Sequence, residues 1–149
     1  PRAAVEAHIA LHLSEAAVAA WIADPERIVL VGAAADAPET LLGYAMYETA
    51  ATPEAPVTER LGDVPAGHLS KLYVLAEGRG TGLAEALVHD GVERLRRLGF
   101  RHVWLGTNAQ NTRANRFYER LGFATIGARQ FVVGGERVED DWVRLLTVA

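Results

Sequence analysis

The sequence contains no cysteine among its 149 residues. This absence excludes disulfide bonds, a thiol nucleophile and thiolate metal sites. No apolar run is long enough to span a membrane, and no basic-then-apolar export signal opens the chain, so we expect a cytoplasmic protein without a membrane partner. His8 and His12 are one helical turn apart, but no third ligand accompanies them and no metal site is predicted. The length fits a single domain over residues 1–149.

An excess of positive charge is also absent. The net charge is −4, which argues against nucleic acid as a partner. Residues 1–66 contain 3 Arg and 10 Asp or Glu, whereas residues 67–149 contain 12 Lys or Arg and 9 Asp or Glu. The acidic half would suit a cationic partner and the basic half an anionic one. A chance imbalance of charge between two solvent-exposed surfaces would explain the same residue counts equally well.

The order of predicted elements indicates a mixed α/β domain. Residues 2–23 have helical apolar spacing, Ser14 can cap a second helix within this stretch, and Asp24-Pro25 ends that helix. Residues 28–31 and 41–49 predict two strands joined by a turn at 36–39, followed by a long loop with a short helix near 57–61. The chain then continues with a strand, a helix that ends at Leu98-Gly99 and a strand at 101–107. A helix that ends at Leu121-Gly122 and a terminal hairpin follow.

Residues 69–91 form the most informative stretch, which reads as a strand, a glycine-rich turn and the start of a helix. Gly78, Gly80 and Gly82 fall within five residues. A helix that begins after such a turn presents free backbone N–H groups and partial positive charge, which suit a phosphate or pyrophosphate. The turn matches neither a nucleotide P-loop nor G-x-G-x-x-G. A plain strand-to-helix connection without a ligand explains the turn alone equally well.

A second motif lies about thirty residues downstream. It reads Asn-x-x-Ala-x-x-Phe-Tyr-x-x-x-Gly-Phe over residues 111–123, and Arg-Gly-x-Gly-x-Ala over residues 79–84 precedes it. Together the two motifs closely resemble the GNAT superfamily of acyl-CoA-dependent N-acetyltransferases. The resemblance covers roughly residues 14–149 in element order and is specific over about 68–123.

The resemblance implies both a fold and a cofactor. The fold is a central, mostly antiparallel, twisted sheet that is splayed at its two parallel central strands and flanked by helices. The implied donor is acetyl-CoA, and the acceptor is a primary amine. Domains of this superfamily usually open with a strand, whereas residue 1 here begins almost at a helix. Either that strand is missing from this sequence or the first sheet edge is short.

The resemblance also assigns residues to the cofactor. It implies that the pyrophosphate binds the backbone amides of residues 79–84, that the pantetheine arm runs along residues 72–74 as an additional strand, and that Asn111 contacts this arm. Ala114 leaves room for the cofactor, and Tyr118 points at its sulfur. The implied cofactor-binding set is Leu72, Tyr73, Val74, Arg79, Gly80, Thr81, Gly82, Leu83, Ala84, Asn111, Ala114, Phe117 and Tyr118.

Aminolysis of a thioester requires an acid and a base. A phenol can protonate the departing thiolate, so Tyr118 is the predicted acid, unless it is only a core aromatic beside Phe117. Backbone N–H groups near Val74 could stabilise the oxyanion. His68, with a reference pKa of about 6.5, is the predicted base. The alternative bases are Glu48 on the preceding strand and a water, and His68 would then have a purely structural role. On strict alternation Ser70 would share the strand face of His68.

The sequence says less about the acceptor. Residues 127–141 resemble the tail of some bacterial polyamine N-acetyltransferases, and the acidic half would attract a polycation, so we favour a small polyamine-like amine. A protein N-terminus, an amino acid or an aminoglycoside would fit the same chemistry. A non-catalytic acyl-CoA sensor is a further alternative, but it would not need Tyr118. Without cysteine, transfer would be direct in a ternary complex. The sequence does not decide between a monomer and a homodimer.

Overall fold

The computed structural model describes residues 15–133, 135 and 137–148. The helices in this part of the chain are α1 (Glu15–Ala23), α2 (Ala55–Leu61), α3 (Leu83–Arg97) and α4 (Thr112–Arg120). The strands are β1 (Arg27–Ala34), β2 (Ala37–Glu48), β3 (Gly67–Val74), β4 (His102–Asn108), β5 (Ala124–Val133) and β6 (Arg137–Thr147), and a 3₁₀ turn (Ala76–Gly78) follows β3. No helix among the described residues has the length and apolar character needed to cross a membrane.

The six strands form one sheet in the order β1-β2-β3-β4-β6-β5. All neighbouring strands are antiparallel except β3 and β4, which are parallel. These two central strands pair only at Gly67 with Val103 and at His68 with Trp104. Beyond that point the ladder ends and the strands diverge. The predicted fold, a mostly antiparallel sheet splayed at its parallel centre, is confirmed.

Helices cover both faces of the sheet. On the first face, α3 contributes Leu87, Val88 and Leu95 to a buried core, and Phe117 and Tyr118 of α4 pack against this core. On the second face, Val57 of α2 packs with Trp104 and strand residues of β6. The Lys71 ammonium lies 5.4 Å from the centre of the Trp21 ring of α1. The first face therefore presents α3 and α4 to the splayed centre of the sheet, and the second face presents α1 and α2.

The position of α3 depends on a close approach to β2. The Tyr47 hydroxyl shares its one proton between the carbonyl oxygens of Leu87 and Val88, at 3.1 and 3.3 Å. A Cβ on Gly91 would lie 2.0 Å from the Tyr47 ring. Glycine at position 91 therefore lets the ring pack directly against the helix. This contact fixes α3, and with it the glycine-rich turn at its N-terminus.

A β-bulge in β3 changes which side chains share a face. The register moves from Met46 opposite Lys71 to Tyr47 opposite Leu69, so Ser70 has no counterpart in β2. Leu69 and Leu72, three residues apart, both reach the first core. Strict alternation therefore does not hold across Ser70, and the inference that Ser70 shares the face of His68 loses its basis.

Most predicted elements lie within one or two residues of those observed, but β1 continues three residues beyond the predicted end at residue 31. The predicted turn at residues 36–39 is wrong, because β2 already begins at Ala37 and the turn comes at residues 35–36. The register shifts between the pairs Ala33–Leu41 and Ala34–Ala37, so Pro38 lies in a bulge without a partner in β1, where proline is tolerated. The helical residues predicted before Ser14 lie outside the described residues, as do His8 and His12. The second predicted helix is α1, which begins at Glu15 and ends at Ala23 before Asp24-Pro25.

Candidate active site

The divergence of β3 from β4 creates the central feature of the site. After His68, β3 pairs only with β2, and after Trp104, β4 pairs only with β6. Leu72, Tyr73 and Val74 lie in this unpaired part of β3. Their backbone edge towards β4 has no strand opposite it. An extended ligand could form main-chain hydrogen bonds there as an additional strand would.

The glycine-rich turn forms one end of this gap. Gly80 and Gly82 have φ angles of 76° and 84°, in the left-handed region that glycine adopts freely. Gly82 is the N-cap residue of α3, and no side chain caps the helix. The first N–H groups of α3 are therefore available to an anion, and the helix dipole adds partial positive charge. The turn has the geometry of an anion site.

A cleft of about 850 Å³ connects the unpaired β3 edge, the turn and α4. All the predicted cofactor residues except Thr81 line it, and the remaining lining residues are Gly78, Glu85, Thr112, Arg113, Arg116 and Arg120. The Thr81 side chain is exposed, and its hydroxyl donates to the Gly78 carbonyl oxygen at 2.5 Å. Thr81 thus braces the turn instead of lining the cleft.

Tyr118 of α4 faces the cleft from the first core. Its ring makes edge contacts with Phe117 and Phe123, with centroids 5.2 and 5.7 Å away. Burial raises the pKa of Tyr118 to about 12. The phenol is therefore neutral and keeps its proton throughout the physiological pH range. A neutral phenol in the wall of the cleft can donate a proton.

Asn111 begins the helix that carries Tyr118. Its side-chain oxygen accepts a hydrogen bond from the Ala114 backbone N–H at 3.1 Å, so it is the N-cap of α4. This bond fixes the first turn of the helix beside the cleft. Asn111 therefore has a structural role in addition to its position in the cleft wall.

His68 lies on the second face of the sheet and does not line the cleft with Tyr118. Its imidazole stacks on the Trp104 indole, with centroids 3.9 Å apart and planes 11° apart. His68 Nδ1 lies 3.3 Å from Glu48 Oε1, without the alignment of a hydrogen bond. Burial lowers the pKa of His68 below 6.5 and outweighs the opposite effect of Glu48. The imidazole is neutral at pH 7 and can accept a proton.

Three further charged residues join His68 and Glu48 on the second face. Arg129 of β5 donates to Glu54, at the N-cap of α2, and through Nε and Nη2 to Asp141 Oδ2 of β6, at 3.2 and 3.0 Å. Its guanidinium covers Gly106, where a Cβ would lie 2.7 Å from Nη2. We call Glu48, His68, Glu54, Arg129 and Asp141 the polar cluster.

The sequence motifs did not identify Glu54, Arg129 or Asp141 as site residues. Glu54 and Arg129 are 75 positions apart, and nothing local relates them. The terminal hairpin places Arg129 opposite Asp141 in register, and this pair could have been found once the hairpin turn was located. No group of three or more His, Cys, Asp or Glu arranged to hold a metal occurs among the described residues.

Comparisons with known proteins agree with this architecture. The model of the acetyltransferase (GNAT) family matches residues 4–123. An uncharacterized N-acetyltransferase of Mycobacterium tuberculosis (strain ATCC 25618 / H37Rv) is 37% identical over 147 residues, covering 96% of this chain and 84% of the relative.

Two solved structures share the fold. Arabidopsis thaliana NAA60 in complex with a bisubstrate analogue superposes with a TM-score of 0.72 at 18% identity, covering 85% of this chain and 78% of that one. The PaiA N-acetyltransferase of Thermoplasma acidophilum in complex with coenzyme A gives 0.70 at 18% identity, covering 99% and 79%.

Proposed function

The chain belongs to the acetyltransferase (GNAT) family and is an acyl-CoA-dependent N-acyltransferase, and on this premise we propose that it acetylates a primary amine of a small, polyamine-like molecule by direct transfer in a ternary complex. The observation that carries the proposal is the single cleft that joins the unpaired β3 edge, the turn before α3 and Tyr118. The chain has no cysteine that could carry the acetyl group.

The cleft suits acetyl-CoA, which supplies the acetyl thioester when bound. The free N–H groups at the start of α3 would hold its pyrophosphate, and positive φ at Gly80 and Gly82 brings the main chain to the ligand without side chains in between. The backbone of residues 72–74 would hold the pantetheine arm. Ala114 and Phe117 of α4 would close the opposite wall.

Tyr118 is the proposed general acid. A thiolate that leaves into the cleft needs a proton, and the buried phenol carries one. Burial also raises the pKa of a thiol, because both groups lose solvation of the charged form. The difference in acidity between phenol and thiol is therefore smaller in the cleft than the phenol pKa alone implies.

His68, stacked on Trp104 and 3.3 Å from Glu48, is the proposed base. An alkylammonium must lose a proton before it can attack, and a neutral imidazole can accept one. His68 lies at the last paired position of β3, where the gap to β4 begins. Because it lies on the second face, we propose that the amine approaches from that face and the donor from the other. Glu48 itself or a bound water remains the alternative base.

The polar cluster supports a cationic acceptor. Its carboxylates are those of Glu48, Glu54 and Asp141, and its guanidinium is that of Arg129; Arg27 adds a second cation 4.0 Å from Glu48. Among these five charged side chains, carboxylates outnumber guanidinium groups three to two. An acceptor with more than one ammonium group would complement this excess.

The test is an acetyl-CoA consumption assay with spermidine, an amino acid, an aminoglycoside and a peptide with a free N-terminus. We expect turnover with spermidine, and Tyr118→Phe should lower kcat by about 10²- to 10⁴-fold. Tyr44→Phe is the matched control, since its hydroxyl does not line the cleft. An unchanged rate in Tyr118→Phe would remove Tyr118 as the acid. Tight CoA binding without turnover of any amine would favour an acyl-CoA sensor.

A further inference from the structure

Three arginines of α4 line the donor cleft, and the proposed chemistry uses none of them. Arg113, Arg116 and Arg120 are spaced i, i+3 and i+7, so they lie along one side of the helix. We call them the α4 arginine row. Arg79 of the glycine-rich turn is a fourth arginine in the wall of the same cleft.

These arginines differ from those of α3 in their partners. On α3, Arg94 pairs with Asp90 at 3.4 Å, and Arg96 and Arg97 pair with Glu93 at 2.8 and 3.1 Å. No carboxylate among the described residues forms an ion pair with any member of the α4 arginine row. Glu85 is the single acidic residue in the described cleft wall, and its carboxylate lies 3.5 Å from His89 Nε2.

The concentration of positive charge in the cleft opposes the balance of the whole chain, whose net charge is −4. The three side chains are exposed at the cleft wall, so their guanidinium groups are accessible to an anion that enters the cleft, and neighbouring like charges favour its binding. The row therefore has the character of a site that a strongly negative group completes.

Coenzyme A has two separate anionic parts, a pyrophosphate and a 3′-phosphate on its ribose. The N–H groups at the start of α3 accommodate the first, on a different wall of the cleft from the row. We propose that the α4 arginine row binds the 3′-phosphate and makes the protein select CoA over its 3′-dephospho form. Guanidinium groups suit this task, because their planar forks donate paired hydrogen bonds to phosphate oxygens.

The test compares the affinity for CoA and for 3′-dephospho-CoA by isothermal titration calorimetry, which requires no acceptor. We expect the wild type to bind CoA about tenfold more tightly than 3′-dephospho-CoA. The double variant Arg116→Gln/Arg120→Gln should lose that preference, with CoA weakened and dephospho-CoA little changed. The matched control is Arg97→Gln, which removes one charge from the exposed end of α3 and should keep the preference.

The inference rests on the proposed placement of CoA in this cleft, and Gly82→Ala tests that placement separately. A Cβ at positive φ on the N-cap should weaken both ligands alike. Failure of the wild type to bind either ligand, or equal binding by Gly82→Ala, would overturn the placement. Three results would overturn the role of the row without affecting the placement of CoA. The wild type could bind the two ligands equally, the double variant could lose affinity for both ligands equally, or Arg97→Gln could also lose the preference for CoA.

Discussion

At the scale of single residues, the environment of His68 determines how it could act. Burial disfavours the imidazolium, whereas Glu48 at 3.3 Å favours it, and burial has the larger effect on the pKa. Stacking on Trp104 holds the ring plane. A base that is neutral at pH 7 and becomes protonated only in more acidic solution has the properties that deprotonation of an ammonium requires.

The first prediction concerns the pH dependence of the reaction. Because the pKa of His68 is below 6.5, acetyl transfer should be independent of His68 ionisation at pH 7 and should fall as the pH drops through that lowered pKa. His68→Gln should lower kcat by about 10²- to 10⁴-fold and remove the acidic limb of the profile. Steady-state rates from pH 5 to 9 provide the measurement. An acidic limb that persists in His68→Gln would exclude His68 as its source.

The second prediction separates His68 from Glu48. Glu48 raises the pKa of His68, so Glu48→Gln should move the acidic limb to still lower pH. The rate at pH 7 should fall less than in His68→Gln, since the imidazole is still present. If Glu48→Gln instead abolishes the acidic limb and costs more activity than His68→Gln, then Glu48 is the base.

The residues of the site differ in how far the sequence could identify them. Tyr118 and the turn residues belong to short motifs in which every position is local, and the cleft contains nearly all of them. The assignment of their roles stays a prediction. Arg129, by contrast, is defined by Glu54 and Asp141, which reach it from α2 and β6. A contact between elements so far apart leaves no spacing pattern in the sequence.

At the scale of elements, α4 is held at both ends by one buried side chain. Arg144 of β6, 2% exposed, donates through Nε and Nη2 to Asn115 Oδ1 and through Nη1 to the carbonyl oxygen of Phe123. Asn115 in turn donates to the carbonyl oxygens of Asn108 and Asn111. The network joins the loop before α4 to the residues after it, and so fixes the helix that presents Tyr118.

The third prediction tests this network. Arg144→Lys keeps the positive charge but loses the guanidinium group that makes several hydrogen bonds at once. It should reduce the free energy of unfolding by about 2 kcal/mol. The Tyr118 ring signals in the NMR spectrum, assigned by their absence in Tyr118→Phe, should also move, because Phe117 and Phe123 shift them through their ring contacts. Val57→Ala in the core of the second face should reduce stability without moving these signals. If the signals of Arg144→Lys coincide with those of the wild type, Arg144 only stabilises the fold.

The elements themselves were largely readable from the sequence, because glycine and proline mark their ends. The bulge at Ser70 was not, since the apolar residues of β3 fit an ordinary strand on either side of it. Its effect is tertiary: it lets Leu69 and Leu72 reach the same core while His68 faces Trp104. Packing against two different layers decides the register there.

At the scale of the whole molecule, the donor cleft and the polar cluster have opposite charge balances. The donor cleft on the first face carries the α4 arginine row and Arg79, and the polar cluster on the second face carries an excess of carboxylates. An anionic donor and a cationic acceptor would each be attracted to a different side of the same gap and repelled from the other.

The fourth prediction follows from this separation. Raising the ionic strength from low salt to about 0.5 M should raise the KM for acetyl-CoA and the KM for spermidine severalfold, because salt screens both attractions. It should change kcat little, since the groups at the gap are buried or half-buried. Butylamine, with one ammonium group, is the matched acceptor and should show a weaker dependence than spermidine. Equal salt dependence for the two amines would mean that the polar cluster does not interact with a second ammonium group of the acceptor. The acceptor would then be a simple monoamine.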